Sequence, residues 1–144
     1  MSGHDVEEVE DGDALLRRVP NQPSMVTRKG GTLRPSSGAF QPTRADDGVS
    51  VDVRRLLPDP SDPEGTLRGR LDYGLVELLA RVPREHALDV HHTPQAENPA
   101  HADIIGWRKS PREVQKRKQR ELARSCVWVR EPAAEGADGD STPP

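Results

Sequence analysis

The hydrophobic positions of this chain repeat with two different periods, and the two seldom mix. In "VSVDV" (49–53), Val49, Val51 and Val53 alternate with Ser50 and Asp52, the period of two expected of a strand buried on one face. "ALLRRV" (14–19) is a short apolar run stopped by Pro20 and predicts another strand. A long loop should follow through "NQPSMVTRKGGTLRPSS" (21–37), with Gly30 and Gly31 at its tip. "GAF" (38–40) and "VSVDV" flank the turn-like "TRADDG", which predicts a hairpin between them. "LLPDPSDPEGTLRG" (56–69) is punctuated by proline and glycine and must be loop, whereas "YGLVELLA" (73–80) reads as a strand. Pro83 can sit in the first turn of a short helix over "PREHAL" (83–88), since a proline there sacrifices no needed N–H.

The helical period belongs to "SPREVQKRKQRELARS" (110–125), where Val114 and Leu122 mark one side. Ser110 as N-cap, Pro111 at the first helical position and Glu113 completing a capping box predict a helix over 111–124. "CVWVR" (126–130) then reads as a final strand. The order of elements predicts an α+β domain: a small mixed, mainly antiparallel sheet with one long C-terminal helix and one short helix.

Composition narrows the picture. With 32% hydrophobic residues, 31% charged residues and few aromatics, the core should be thin, and a partner that adds burial becomes attractive. Cys126 is the only cysteine, so no intramolecular disulfide can form, and no leader or membrane-length apolar run is evident; the expected setting is cytoplasmic. Charge is partitioned. Residues 1–13 carry six acidic groups and no Lys or Arg, and the segment from 132 onward is again acidic and rich in Pro and Gly. Both read as disordered tails around a single domain spanning 14–131. Between them, residues 108–124 hold eight basic groups against Glu113 and Glu121.

"RRVP" (17–20), "RPSSGAF" (34–40), "VSVDV" (49–53) and "ENPAHADIIG" (97–106) together resemble a pattern in short, functionally uncharacterised bacterial proteins. The resemblance covers residues 14–131 and implies one intact domain, without an activity. A looser likeness is to ADP-ribosyltransferase-like domains, including the RES toxins, in which an early strand arginine and a later serine-bearing strand help to hold NAD. That likeness lays Arg18 and Ser36 or Ser37 on those roles, with His101 as acid or base in a small nucleotide-binding transferase. The Gly-rich "GGRWN"-like run of that group is missing here. So are "GxxxxGK" and "GxGxxG", so no cofactor is expected. Cys126 opens an apolar strand, where a buried thiol is ordinarily inert packing.

Three of the five histidines fall between 91 and 101. Strands 88–93 and 101–107 are expected to form a hairpin; placing Thr93 opposite His101 sets Asp89, His91, Thr93, His101, Asp103, Ile105 and Trp107 on one face. Leu88, Val90, His92, Ala102, Ile104 and Gly106 then form the core face. His91, His101 and Asp103 match two histidines and a carboxylate around a divalent metal, set against the simpler reading of a solvated hairpin face.

On the 111–124 helix, Arg112, Lys116, Arg120 and Arg124 form a row at i, i+4 about 18 Å long. Like charges at that spacing repel by some tenths of a kcal/mol per pair, which favours an anionic partner. A protein with an acidic surface is preferred to nucleic acid, because the chain is acidic overall and offers no aromatic stacking platform. The sequence leaves the oligomeric state open. The leading expectation is a binding or accessory module that docks this helix on an acidic partner.

Overall fold

The central strand, β1 (Ala14–Pro20), sends Leu15, Arg17 and Val19 to one side and Leu16 and Arg18 to the other. Its neighbours carry the same alternation. In the computed structural model, which describes residues 5–42 and 47–133, β1 lies between β4 (Val49–Val53) and β5 (Tyr73–Leu79). β6 (Asp89–His92), β7 (His101–Ile105) and β8 (Val127–Arg130) complete a sheet ordered β6-β7-β4-β1-β5-β8. Among the described residues every pairing in it is antiparallel. The stretch expected as one long loop after β1 instead folds as a small separate hairpin, β2 (Val26–Lys29) and β3 (Thr32–Pro35). Gly30 and Gly31 turn it with positive φ, the backbone a tight two-residue hairpin demands.

One face of the sheet carries most of the core. Leu15, Val19, Val49, Val51, Val53, Val76, Leu78, Val90 and Ile104 pack with Phe40, Trp107 and Leu122, burying the inner side of the long helix α2 (Arg112–Ser125). Each such side chain contributes roughly 1.5–3 kcal/mol of transfer energy. A second, smaller cluster of Leu16, Leu57, Leu67, Leu75 and Ala100 lies on the opposite face beneath the proline-rich segment 54–70, which winds through two short 3-10 turns. The short helix α1 (Arg81–Glu85) begins two residues earlier than the sequence suggests, with Pro83 still inside its first turn.

Three further expectations require correction along the sheet and helix. "GAF" is not a strand: Ser37–Phe40 form a 3-10 turn that buries Phe40 against α2, and β4 pairs instead with β1 and β7. Trp107 does not follow the outer face of β7. Gly106, at φ 103, ends the strand and lets a 3-10 turn carry the indole into the core, where its Nε1–H donates to the Ile104 carbonyl at 2.9 Å. Pro111, not Ser110, caps α2, and no side-chain cap bond forms; the Ser110 hydroxyl accepts instead from the half-turned-in Lys118 ammonium at 3.0 Å.

Residues 5–13 are not a detached acidic tail. Val9 is 2% exposed and joins the main core. Arg55 pairs with Glu7 and Asp13 at 2.8 Å each, and Arg84 pairs with Asp11 at 2.8 Å and donates to the Val9 carbonyl. The acidic run finds its counter-charges on distant arginines, which a local count of like charges cannot register. Residues 1–4 and 134–144, the remainder of the two expected tails, lie outside the described residues, while Ala133 still donates its N–H to Leu71.

Candidate functional site

The long helix turns Lys118, Gln119, Leu122 and Ala123 inward and leaves Arg112, Lys116, Arg120 and Arg124 on its exposed side. Residues 34–42 run beside it in the opposite direction, from the end of β3 through the 3-10 turn. Along the seam between the two lie two separate hollows, together called the groove. Arg120, Ala123 and Arg124 face Arg34, Pro35 and Ser37 across a space of about 350 Å³. Arg112, Gln115, Lys116 and Gln119, with Arg108, face Gln41 and Pro42 across about 190 Å³. The four members of the expected row therefore line these hollows, two in each, and among the described residues no Asp or Glu lines either. Arg124 answers Glu121 at 3.0 Å, but Arg34, Arg112, Lys116 and Arg120 form no ion pair among the described residues. Arg34 is the wall residue that the sequence did not single out; it lies far back in the chain, before β4, whereas the helix begins only at Arg112.

The second wall is tied down from beneath. Arg17 points from β1 toward this side and donates from Nε to the Ala39 carbonyl at 2.9 Å and from Nη1 to the Ser50 carbonyl at 2.7 Å. Burial, with a lesser push from neighbouring Arg18, lowers its guanidinium to about 10.

The hairpin of β6 and β7 has the expected register: His91 stands opposite Asp103, and Thr93 N–H donates to the His101 carbonyl at 2.9 Å. Of the proposed metal ligands, His101 and Asp103 meet through Thr93, whereas His91 turns away to Asp89. His101 Nδ1 is 2.9 Å from the Thr93 hydroxyl, which itself donates to Asp103 Oδ2 at 2.9 Å. His91 leans on Asp89 at 3.3 Å. Among the described residues no three His, Cys, Asp or Glu side chains gather to hold an ion. The Thr93 bond sets the proton of His101 on Nδ1 and leaves Nε2 to accept from the Ser50 hydroxyl at 3.3 Å. That contact is longer than the reach of about 2.6–3.2 Å at which a histidine activates a nucleophile, and Ser50 is exposed on the open sheet.

His92, on the core face as expected, is buried and fully engaged. Its Nδ1 accepts the Glu7 N–H at 2.8 Å, and its Nε2–H donates to the Pro99 carbonyl at 2.7 Å, which fixes a neutral ring that fastens the N-terminal segment to the sheet.

Arg18, Ser36, Ser37 and His101 do not converge. Arg18 lies on the outer face, 3.8 Å from the buried Asp52, whose Oδ1 accepts from Asn98 at 2.9 Å. There it lines a cleft of about 250 Å³ with Asp52, Asp59, Asp62, Thr66 and Glu97. His101 flanks Asp52 on the neighbouring strand. The serines lie across the sheet: Ser36 donates to the Ser24 carbonyl at 3.0 Å, and Ser37 lines the basic groove. Cys126 is packed as expected, its thiol donating to the Ala123 carbonyl at 3.3 Å and pushed up by burial to about 12. A wider hollow of about 720 Å³ beside β6 is lined by Asp11, Asp47, Arg84, Asp89, His91 and Lys109, but its polar groups largely satisfy one another: Arg84 holds Asp11 and Asp89, and Asp47 accepts the Gly106 and Arg108 N–H groups.

No known protein family matches this chain, and no curated protein or solved structure is detectably similar to it. Function therefore has to be argued from the side chains themselves. Among the described residues no helix is long and apolar enough to cross a membrane.

Proposed function

We propose that this protein is a small binding or accessory module of the cytoplasm that docks an acidic protein surface in the groove between α2 and residues 34–42. The observation that carries the reading is the groove lining: Arg34, Arg112, Lys116, Arg120 and Arg124 share its two hollows, and among the described residues no carboxylate does. Gathering cations on one rigid helix costs repulsion of a few tenths of a kcal/mol per neighbouring pair, and a complementary surface would convert that cost into attraction. Among the described residues the lining also contains no aromatic ring, which favours a carboxylate-bearing partner over stacked bases.

Titration with polyaspartate tests the reading. Reversing Lys116 and Arg120 together to Glu should weaken binding by at least about tenfold, each reversal being worth on the order of 1 kcal/mol at low salt. The matched control reverses the exposed Arg28 and Lys29 of β2 to Glu, an equal change in net charge away from the groove. Equal losses in the two double variants would reduce the effect to net charge and defeat the proposal.

A further inference from the structure

We infer that the chain's own acidic segment, residues 134–144, occupies the hollow of Arg34, Arg120 and Arg124, so that an acidic partner has to displace it. The inference rests on the docking reading above and adds a regulation to it. Residues 134–144 carry Glu135, Asp138 and Asp140 and no Lys or Arg. The hollow is the complement, lined by three arginines with Pro35, Ser37 and Ala123. Arg124 has Glu121 at 3.0 Å, whereas Arg34 and Arg120 form no ion pair among the described residues. Charge alone does not choose an occupant; the place where the segment begins does.

The root of the segment is fixed beside the Arg34 wall. Ala133 donates its N–H to the Leu71 carbonyl at 2.8 Å and its carbonyl accepts from Asn21 Nδ2 at 2.9 Å, so the chain leaves the described fold from a set point. A methyl group on Gly74 would lie 2.6 Å from Pro132 Cδ and 2.6 Å from Trp128 Cζ3, which puts those two atoms no more than twice that distance apart. The pyrrole side of the same indole donates to the Leu33 carbonyl at 2.9 Å, next to Arg34. One indole ring and its two contacts therefore span from the root to the wall. Trp128 packs with the helix-side core, so the root and the hollow share a side of the sheet. An extended chain advances about 3.3 Å per residue, which gives Asp138 a reach of about 17 Å from Ala133 and Asp140 about 23 Å. Both cover the span, with the long Arg34 side chain meeting them partway.

The cations nearest the root are already engaged. Arg70 donates twice to Asp72, at 3.1 and 2.9 Å, and Arg130 is held by the Tyr73 carbonyl and Glu64. The rival set is Arg28 and Lys29, exposed near the tip of the β2–β3 hairpin. Water and salt screen charges on an exposed tip more than those lining a hollow, which favours Arg34 and Arg120. Because the carboxylates belong to the same chain, they meet the hollow at an effective concentration on the order of millimolar, which a free partner has to outbind. Exposed ion pairs are individually weak, so such an occupant is displaceable, not permanent.

Two measurements on the full chain test the inference. In the first, Glu135→Gln, Asp138→Asn and Asp140→Asn are combined, and heteronuclear NMR spectra of backbone amides and arginine Nε–H groups are compared with those of the parent. Signals of Arg34, Ser37, Arg120 and Arg124 should move. In the second, polyaspartate is titrated at low salt into this triple variant and into Asp5→Asn, Glu8→Gln, Glu10→Gln, an equal change in net charge at exposed positions on the β6 side of the sheet. The first variant should bind at least about threefold more tightly than the second, and the difference should close at high salt. Spectral changes confined to the sequence neighbours of 135–140, or centred on Arg28 and Lys29, would overturn the inference. Equal tightening in the two triple variants would do the same, and the docking reading survives each of these results. If neither the parent nor either variant binds polyaspartate, the docking reading fails and the competition with it.

Discussion

The two faces of the sheet handle charge in opposite ways. On the outer face and along its edges, almost every arginine has a carboxylate within reach: Arg54 with Glu77, Arg55 with Glu7 and Asp13, Arg84 with Asp11 and Asp89, Arg130 with Glu64, and Arg18 with Asp52. On the helix side, four cations share a groove and find no partner within the described fold. Exposed pairs of the first kind contribute only about 0–1 kcal/mol each, so they do not explain why the molecule folds. What they accomplish is closure: the outer face leaves little electrostatic demand unmet, whereas the helix side leaves Arg34, Arg112, Lys116 and Arg120 without a counter-charge among the described residues.

The apolar cores differ in the same sense. The helix side encloses the large cluster around Trp107 and Phe40, while the outer cluster is a handful of leucines under a proline-rich segment. Trp107→Ala should therefore cost about 3–5 kcal/mol in chemical denaturation, and Leu67→Ala nearer about 2 kcal/mol, because the segment above it can settle into the space. An equal or greater loss at Leu67 would break the comparison by making the outer cluster an equal part of the core.

A smaller effect sharpens it. Arg17→Met removes the two bonds that hold the Ala39 and Ser50 carbonyls, at an expected cost of about 1–2 kcal/mol, since relief from burying a charge offsets part of the loss. Arg17 does not line the groove, yet it anchors the groove's second wall. Its replacement should weaken polyaspartate binding well below the melting temperature, whereas a purely stabilising role would leave affinity there unchanged.

The least effect concerns pH. Burial pushes the Asp89 carboxyl up, but the Val90 N–H and the Arg84 guanidinium outweigh it, so the group sits below the usual carboxylate range. A carboxyl depressed in the folded state stabilises fully above its unfolded value near about 3.9 and loses that contribution as pH falls through the folded value. The melting difference between the parent and Asp89→Asn should accordingly be present at neutral pH, small as for other exposed pairs, and vanish in acid. A difference that persists unchanged below about pH 3 would assign the effect to packing instead of charge.

How much of this was legible beforehand depended on whether the controlling interaction was local. The hairpin register around His91 and His101 could be read because a one-residue slip would have exposed Val90 and Ile104 and buried Asp103. The basic row could be read because helical spacing is a property of the segment alone. The groove could not: its second wall and Arg34 arrive from the other end of the chain. Nor could the fate of residues 5–13, whose partners His92, Arg55 and Arg84 lie dozens of positions away. Trp107 was misplaced because strand alternation was carried one residue past Gly106. The capping box does not form because the helix starts one residue later, with Pro111 in the cap position and the Ser110 hydroxyl accepting from Lys118 instead.

A single residue, Cys126, separates the end of α2 from the start of β8, and Trp128 follows on that strand with its indole N–H donating to the Leu33 carbonyl at 2.9 Å, immediately before Arg34. The chain has only one other tryptophan, and Trp107 is sealed from solvent. The half-buried Trp128 indole, tied to the carbonyl that precedes Arg34, is therefore the one whose surroundings shift when the Arg34 wall moves. Ultraviolet emission of the unlabelled protein thus carries a built-in optical signal for occupancy of the basic face.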